Sequence, residues 1–155
     1  MRNIIAKLLI GASITVIGAF GADNSLGSWK LNLEKSVYNP GPATVKNLTT
    51  TREASENGVK ATSTGELANG NPINSSYTAK YDGKDYPVTG APWDTIAIKQ
   101  VDANTFTSAA KMTTGKYSST SQTVISEDGN TTTVTSKGTN AEGIAFNNTL
   151  VYNKQ

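Results

Sequence analysis

The sequence contains no cysteine and no histidine in 155 residues. The first absence excludes disulfide staples, thiolate chemistry and lipid attachment at a cleavage-site cysteine. The second removes the commonest general base and the commonest metal ligand. No serine stands in a G-x-S-x-G setting, so no nucleophile elbow is present. Past Phe20 there is no long apolar run and no sustained 3.6-residue apolar period. Arginine is almost missing as well, with Arg2 and Arg52 alone.

What is there begins with a leader. Arg2 and Lys7 give a basic start, Leu8–Phe20 is apolar, and Ala19-Phe20-Gly21 places small residues at −3 and −1. This is the pattern of a secretory signal peptide over residues 1–21, cut before Ala22. The apolar run is too short for about 30 Å of hydrocarbon, so no stable membrane insertion is expected after cleavage. The destination is the periplasm or the extracellular medium. Loss of Arg2 and Lys7 takes the basic count from 14 to 12, equal to the 12 acidic residues. No Lys/Arg cluster remains, so a nucleic-acid partner is excluded on charge.

Residues 22–155 read as one domain. Thr and Ser alternate with Val, Ile, Tyr and Phe, a composition suited to half-buried strands. Asn57-Gly58, Asn69-Gly70, Asp82-Gly83, Thr114-Gly115, Asp128-Gly129 and Glu142-Gly143 punctuate them, each interval holding one strand and one turn. Strands are expected from Gly27, then near 45–53, 59–65, 73–81, 85–88, 94–101, 105–112, 116–125, 131–137 and 144–153. One helical turn is expected near Leu33–Val37. Strands around Lys116–Ile125 and Thr131–Lys137 offer mostly hydroxyls on both faces. A filled sandwich would need more apolar bulk. The composition therefore favours an all-β antiparallel meander of about 8–10 strands, closing into a barrel with a partly hydrated interior. A thin sandwich is the alternative.

Gly27-Ser28-Trp29 at the head of the first strand resembles the lipocalins and the wider calycin barrels. That resemblance implies a tryptophan plugging the closed end, with a late arginine packed on it. No arginine follows Arg52 here. Leu150-Val151-Tyr152-Asn153-Lys154 resembles the last strand of the intracellular fatty-acid-binding proteins, but Leu150 stands where their anchoring arginine would be. Gly27–Asn32 (G-S-W-K-L-N) and Tyr81–Gly90 (Y-D-G-K-D-Y-P-V-T-G) are together similar to a group of small exported bacterial proteins. This second likeness implies kinship and bacterial export, and carries no activity.

The richest stretch is Tyr77–Thr95, with Tyr77, Tyr81, Tyr86 and Trp93 beside Asp82, Asp85 and Asp94. Tyr77 and Tyr81 lie four apart and face one side of a strand. Aromatics with polar tips line ligand cavities, and equally fill small cores. Trp93, in the loop Ala91-Pro92-Trp93, is expected to be exposed. The acids fit no calcium loop, and Asp82 is explained as the turn residue before Gly83. No metal and no cofactor is expected. The threonine runs lack the strict repeat of a surface-binding array, and Asn47, Asn74, Asn130 and Asn147 open glycosylation triplets usable only in a eukaryotic secretory pathway.

The expectation is a secreted, non-enzymatic binding protein holding a small amphipathic or moderately polar molecule in a barrel cavity. Trp29, Arg52, Tyr77, Tyr81, Tyr86, Trp93, Phe106 and Tyr117 are the residues expected to line or gate it. Arg52 is the only guanidinium available to an anionic group. The alternative is an extracellular interaction or structural module using exposed strands and the Trp93 loop.

Overall fold

β-Branched and hydroxyl residues extend the backbone, and glycine turns reverse it, through the whole of the described chain. The computed structural model describes residues 21–155, so the leader, apart from Gly21, lies outside the described residues. Ten strands follow one another: β1 (Gly27–Val37), β2 (Val45–Ser55), β3 (Gly58–Leu67), β4 (Pro72–Lys80) and β5 (Tyr86–Thr89). Then come β6 (Thr95–Gln100), β7 (Thr105–Lys111), β8 (Ser118–Ile125), β9 (Thr131–Thr139) and β10 (Ala145–Lys154). Each pairs antiparallel with its sequence neighbours, and β1 pairs with β10, which closes the barrel. The expected all-β closed meander is the architecture observed, and closure leaves no sheet edge to blunt.

No helix is present among the described residues, which corrects the turn expected near Leu33–Val37. β1 runs through that stretch, but its register with β10 jumps from Asn32↔Val151 to Val37↔Thr149. The surplus residues form a bulge tied by side chains. Asn32 Oδ1 accepts the Lys35 amide at 3.1 Å, and Ser36 Oγ donates to the Asn32 carbonyl at 2.6 Å. The Val151 amide then donates to Ser36 Oγ, so the bulge borrows a side chain to keep the ladder satisfied.

Glycine serves two purposes in the frame. At Gly83, φ is 74° in the turn after β4, and the Lys84 amide donates to Asp82 Oδ1, which is the turn role expected of Asp82. At Gly138, in β9, a Cβ would fall 1.9 Å from the Ser118 carbonyl oxygen of β8. Gly138→Ala is therefore expected to destabilise the fold by about 1–3 kcal/mol, read as a lower urea midpoint with unchanged slope. At Asn57-Gly58 the positive φ falls on Asn57, at 54°, while Gly58 lies against the β4 backbone.

The core forms two apolar clusters, the first at the end where β1 begins and the second reaching from Leu26 to Trp93 in the β5–β6 loop. Directly paired residues share a face of the sheet, so the ladders trace the inward set from strand to strand. One apolar cluster contains Trp29, Leu31, Phe106, Ile125 and Tyr152. A second contains Val59, Ala79, Val88, Ile96 and Ile98, and Tyr81 packs against both. The segment before β1 crosses beneath them. Its Asn24 amide donates to the Ala103 carbonyl and its Ala22 carbonyl accepts from Gln100, so the chain itself forms a floor under the barrel.

Candidate functional site

The floor is built on Trp29, which is 0% exposed. Its indole Nε1 donates to the Ser25 carbonyl at 2.7 Å, and Lys154 Nζ lies 5.2 Å from the ring centroid. A lysine thus reaches over the indole from β10 as a cation–π partner. Tyr81 packs tilted against Phe106, with ring centroids 5.3 Å apart at 52°, and its hydroxyl donates to the Asp23 carboxylate at 2.5 Å. Asp23 also accepts the Ser25 amide and hydroxyl, so its carboxylate is fully engaged.

Above the floor the inward set changes character. Ser108, Ser121, Ser136 and Asn148 pair in register across β7–β10, and Thr50, Ser63 and Ser75 do so across β2–β4. Thr50 and Ser63 hydroxyls are 2.8 Å apart. All of these residues point inward, yet each keeps partial solvent exposure. Small hydroxyl side chains leave space, and water reaches it. These rows are solvent-accessible, whereas the two apolar clusters are packed.

Arg52 enters this space from β2, paired with Ala61 of β3, which in turn pairs with Tyr77 of β4. Its Nη1 is buried and has no hydrogen-bond partner. It takes part in none of the ion pairs among the described residues, which join Lys46 to Glu66, Lys80 to Glu56 and Lys111 to Asp85. The guanidinium acts electrostatically on both Tyr77 and Tyr152. Burial pushes the Tyr77 phenol up, with Arg52 beside it working against that shift. Burial also pushes Tyr152 up, to about 12, opposed by Arg52 and reinforced by Tyr38.

These shifts set an alkaline limit. A phenol whose folded value lies above its unfolded value near 10 stabilises the fold fully below that pH. The contribution is lost as pH rises from about 10 to about 12, because the unfolded chain ionises first. For Tyr152 alone the loss is about 2–3 kcal/mol. Stability is therefore expected to be level from pH 7 to 9 and to fall steeply above 10. Tyr152→Phe should flatten part of that fall in urea titrations run at stepped pH.

The opposite end carries a second aromatic group. Trp93, in the β5–β6 loop, stacks on Tyr117 at 5.0 Å and 27°, and Tyr117 lies 6.2 Å from Phe146. The loops β5–β6, β7–β8 and β9–β10 all turn at this end, away from the floor. Trp93 is half-buried against Tyr117 with Nε1 enclosed and unpaired, which corrects the expectation of a freely exposed loop residue. An open groove of about 640 Å³ also runs beside Phe146, lined by Lys111, Thr120 and Lys137 of the outward set and by Ala110, Ser119 and Gly138 of the inward set. It belongs to the rim of the barrel.

The eight residues singled out in sequence are therefore sorted into three places. Trp29, Phe106 and Tyr81 belong to the floor and its packing. Arg52 and Tyr77 face the hydrated interior together, while Trp93 and Tyr117 stack at the mouth. Tyr86 packs partly on the second cluster, and its hydroxyl donates to Asp82 at the surface. Sequence reasoning missed Tyr152, Tyr38 and Phe146 as neighbours of these groups. For Tyr152 and Phe146 a signal was present, since both share the inward parity of β10 with Leu150. Nothing local marks Tyr38.

No family model matches the chain, and no curated protein matches it. Among solved structures, a similar one is the zebrafish ileal bile acid-binding protein complexed with cholic acid, at 12% identity and a TM-score of 0.48. The match covers 86% of this chain and 100% of that one. At that level of likeness the comparison carries nothing about ligand or chemistry here.

Proposed function

We propose that this protein is an exported, non-enzymatic binding protein that holds a small amphipathic molecule in the barrel interior. One observation carries the reading: two inward rows, Ser108–Ser121–Ser136 across β7–β9 and Thr50–Ser63–Ser75 across β2–β4, are small, hydroxyl-bearing and solvent-accessible. A chain that only needed stability would fill that space with Leu, Ile or Val. Apolar surface from the floor and hydroxyls from the wall suit a ligand with both characters. The basic and apolar leader pattern supports export, and the G-S-W-K-L-N and Y-D-G-K-D-Y-P-V-T-G likeness supports a bacterial setting.

Interaction through exposed strands has less support, because every strand of the closed ring has a neighbour on both sides. The test is titration with an environment-sensitive apolar dye, read through tryptophan emission. Saturable binding near one dye per chain is expected, with an emission change that Trp93→Phe abolishes. Trp29, sealed in the floor, should not respond. Absence of saturable binding to the wild-type protein would overturn the reading.

A further inference from the structure

Arg52 is the single guanidinium of the described residues: it joins no ion pair and its Nη1 is buried without a hydrogen-bond partner, the Tyr77 hydroxyl being its side-chain hydrogen-bonding neighbour. The ladders give the inward positions of all ten strands, and none of them carries Asp or Glu. Lys154, the other inward cation, is occupied at the floor's edge by the Trp29 ring. Asp23 reaches the floor from the N-terminal segment, but it already accepts from Tyr81 and twice from Ser25. An unpaired cation inside a barrel destabilises the empty protein, while two phenol-bearing side chains, Tyr77 and Tyr152, lie within its field.

Resting on the interior-binding reading above, we infer that the ligand is a carboxylate monoanion whose head seats on Arg52. Tyr77 and Tyr152 flank that seat. A guanidinium offers a planar fork that matches the two carboxylate oxygens. Hydroxyls at Tyr77 and Tyr152 can donate to the same head, and burial keeps both phenols protonated at neutral pH. The rest of the molecule then lies along the Ser/Thr wall toward the Trp93–Tyr117 stack. A neutral or cationic amphiphile would leave the guanidinium desolvated and unpaired, so selection against such molecules is built into the same residue.

Decanoate, decanol and decyltrimethylammonium can be compared at pH 8 as competitors of the bound apolar dye. Decanoate is expected to compete about 10- to 100-fold better than decanol, and the cation worst. Arg52→Gln should remove that advantage while decanol competition persists. Tyr152→Phe should reduce it several-fold. Unfolding midpoints of both variants check that they remain folded, and Arg52→Lys, which keeps the charge but not the fork, should retain only part of the preference. If decanol competes as well as decanoate in the wild-type protein, or if Arg52→Gln keeps the preference, the anchor is wrong although the interior site stands. If no competitor displaces the dye, or no dye binds, both readings fail.

Discussion

Replacing Trp29 by alanine is expected to lower the unfolding free energy by about 3–5 kcal/mol. The side chain has no solvent exposure, and it joins Leu31, Phe106, Ile125 and Tyr152 in one cluster. Its removal leaves a cavity between strands drawn from both ends of the sequence, so local collapse cannot refill the space. It also strands the Ser25 carbonyl, which now accepts the indole N–H, and it frees Lys154 from its only aromatic neighbour. Against a total stability of about 5–15 kcal/mol for an ordinary domain, the variant should lose a large share of its margin and unfold at a clearly lower urea concentration. Urea denaturation followed by far-ultraviolet circular dichroism measures it. Trp29→Phe separates bulk from hydrogen bond, and should retain more than half of the lost stability. A loss below about 1 kcal/mol for the alanine variant would mean that the floor is not held from Trp29.

The second large effect runs in the opposite direction. Arg52→Met should stabilise the ligand-free protein by about 1–2 kcal/mol. Methionine keeps the length of the aliphatic stem against Ala61 and Tyr77 and removes a buried Nη1 that has no partner. The gain is expected in low salt and should shrink as salt screens the charge. Chemical denaturation of both proteins without ligand tests it. A destabilised Arg52→Met variant would show that the guanidinium is satisfied within the fold, and would remove the reason to look for an external anion. Stability given up at one inward position is a common mark of a residue kept for binding.

The barrel was largely legible in the sequence because two signals agreed. Glycine turns at regular intervals fixed where the chain reverses, and hydroxyl-rich strands such as Ser118–Ile125 left too little apolar bulk for a filled sandwich. Strand limits shifted by one to a few residues, as at β5, where pairing starts at Tyr86 and the Asp82-Gly83 turn widens into a loop. The bulge in β1 stands where one helical turn was expected, and the side-chain bonds of Asn32 to the Lys35 amide and from Ser36 are local enough to suit either structure. Only pairing with β10, more than 100 residues away, decides between them.

The site was legible in its residue types and not in its arrangement. Aromatic density pointed to Tyr77–Thr95, yet that stretch is divided among floor, interior and mouth because a meander carries it from one end of the barrel to the other. Arg52 stood out by scarcity alone. Its neighbour Tyr152 is 100 positions away, and no local pattern in a single sequence joins β2 to β10 across a hollow interior. Trp93 was expected outside because it follows a proline in a loop. It instead lies on Tyr117, which arrives from a different hairpin.

An even number of strands returns the chain to the end at which it started. Gln155 donates its amide to the Ser28 carbonyl, and Trp29 pairs with Lys154, so both ends of the domain lie together beneath the floor. The seam between β1 and β10 is one more antiparallel pair, differing from the rest only in having no loop. A short linker across it would make the domain cyclic, and the ring could be reopened at a floor-end turn such as Asp128-Gly129 without disturbing a ladder. The mouth, at the far end, would then remain unencumbered by any tether attached to either terminus.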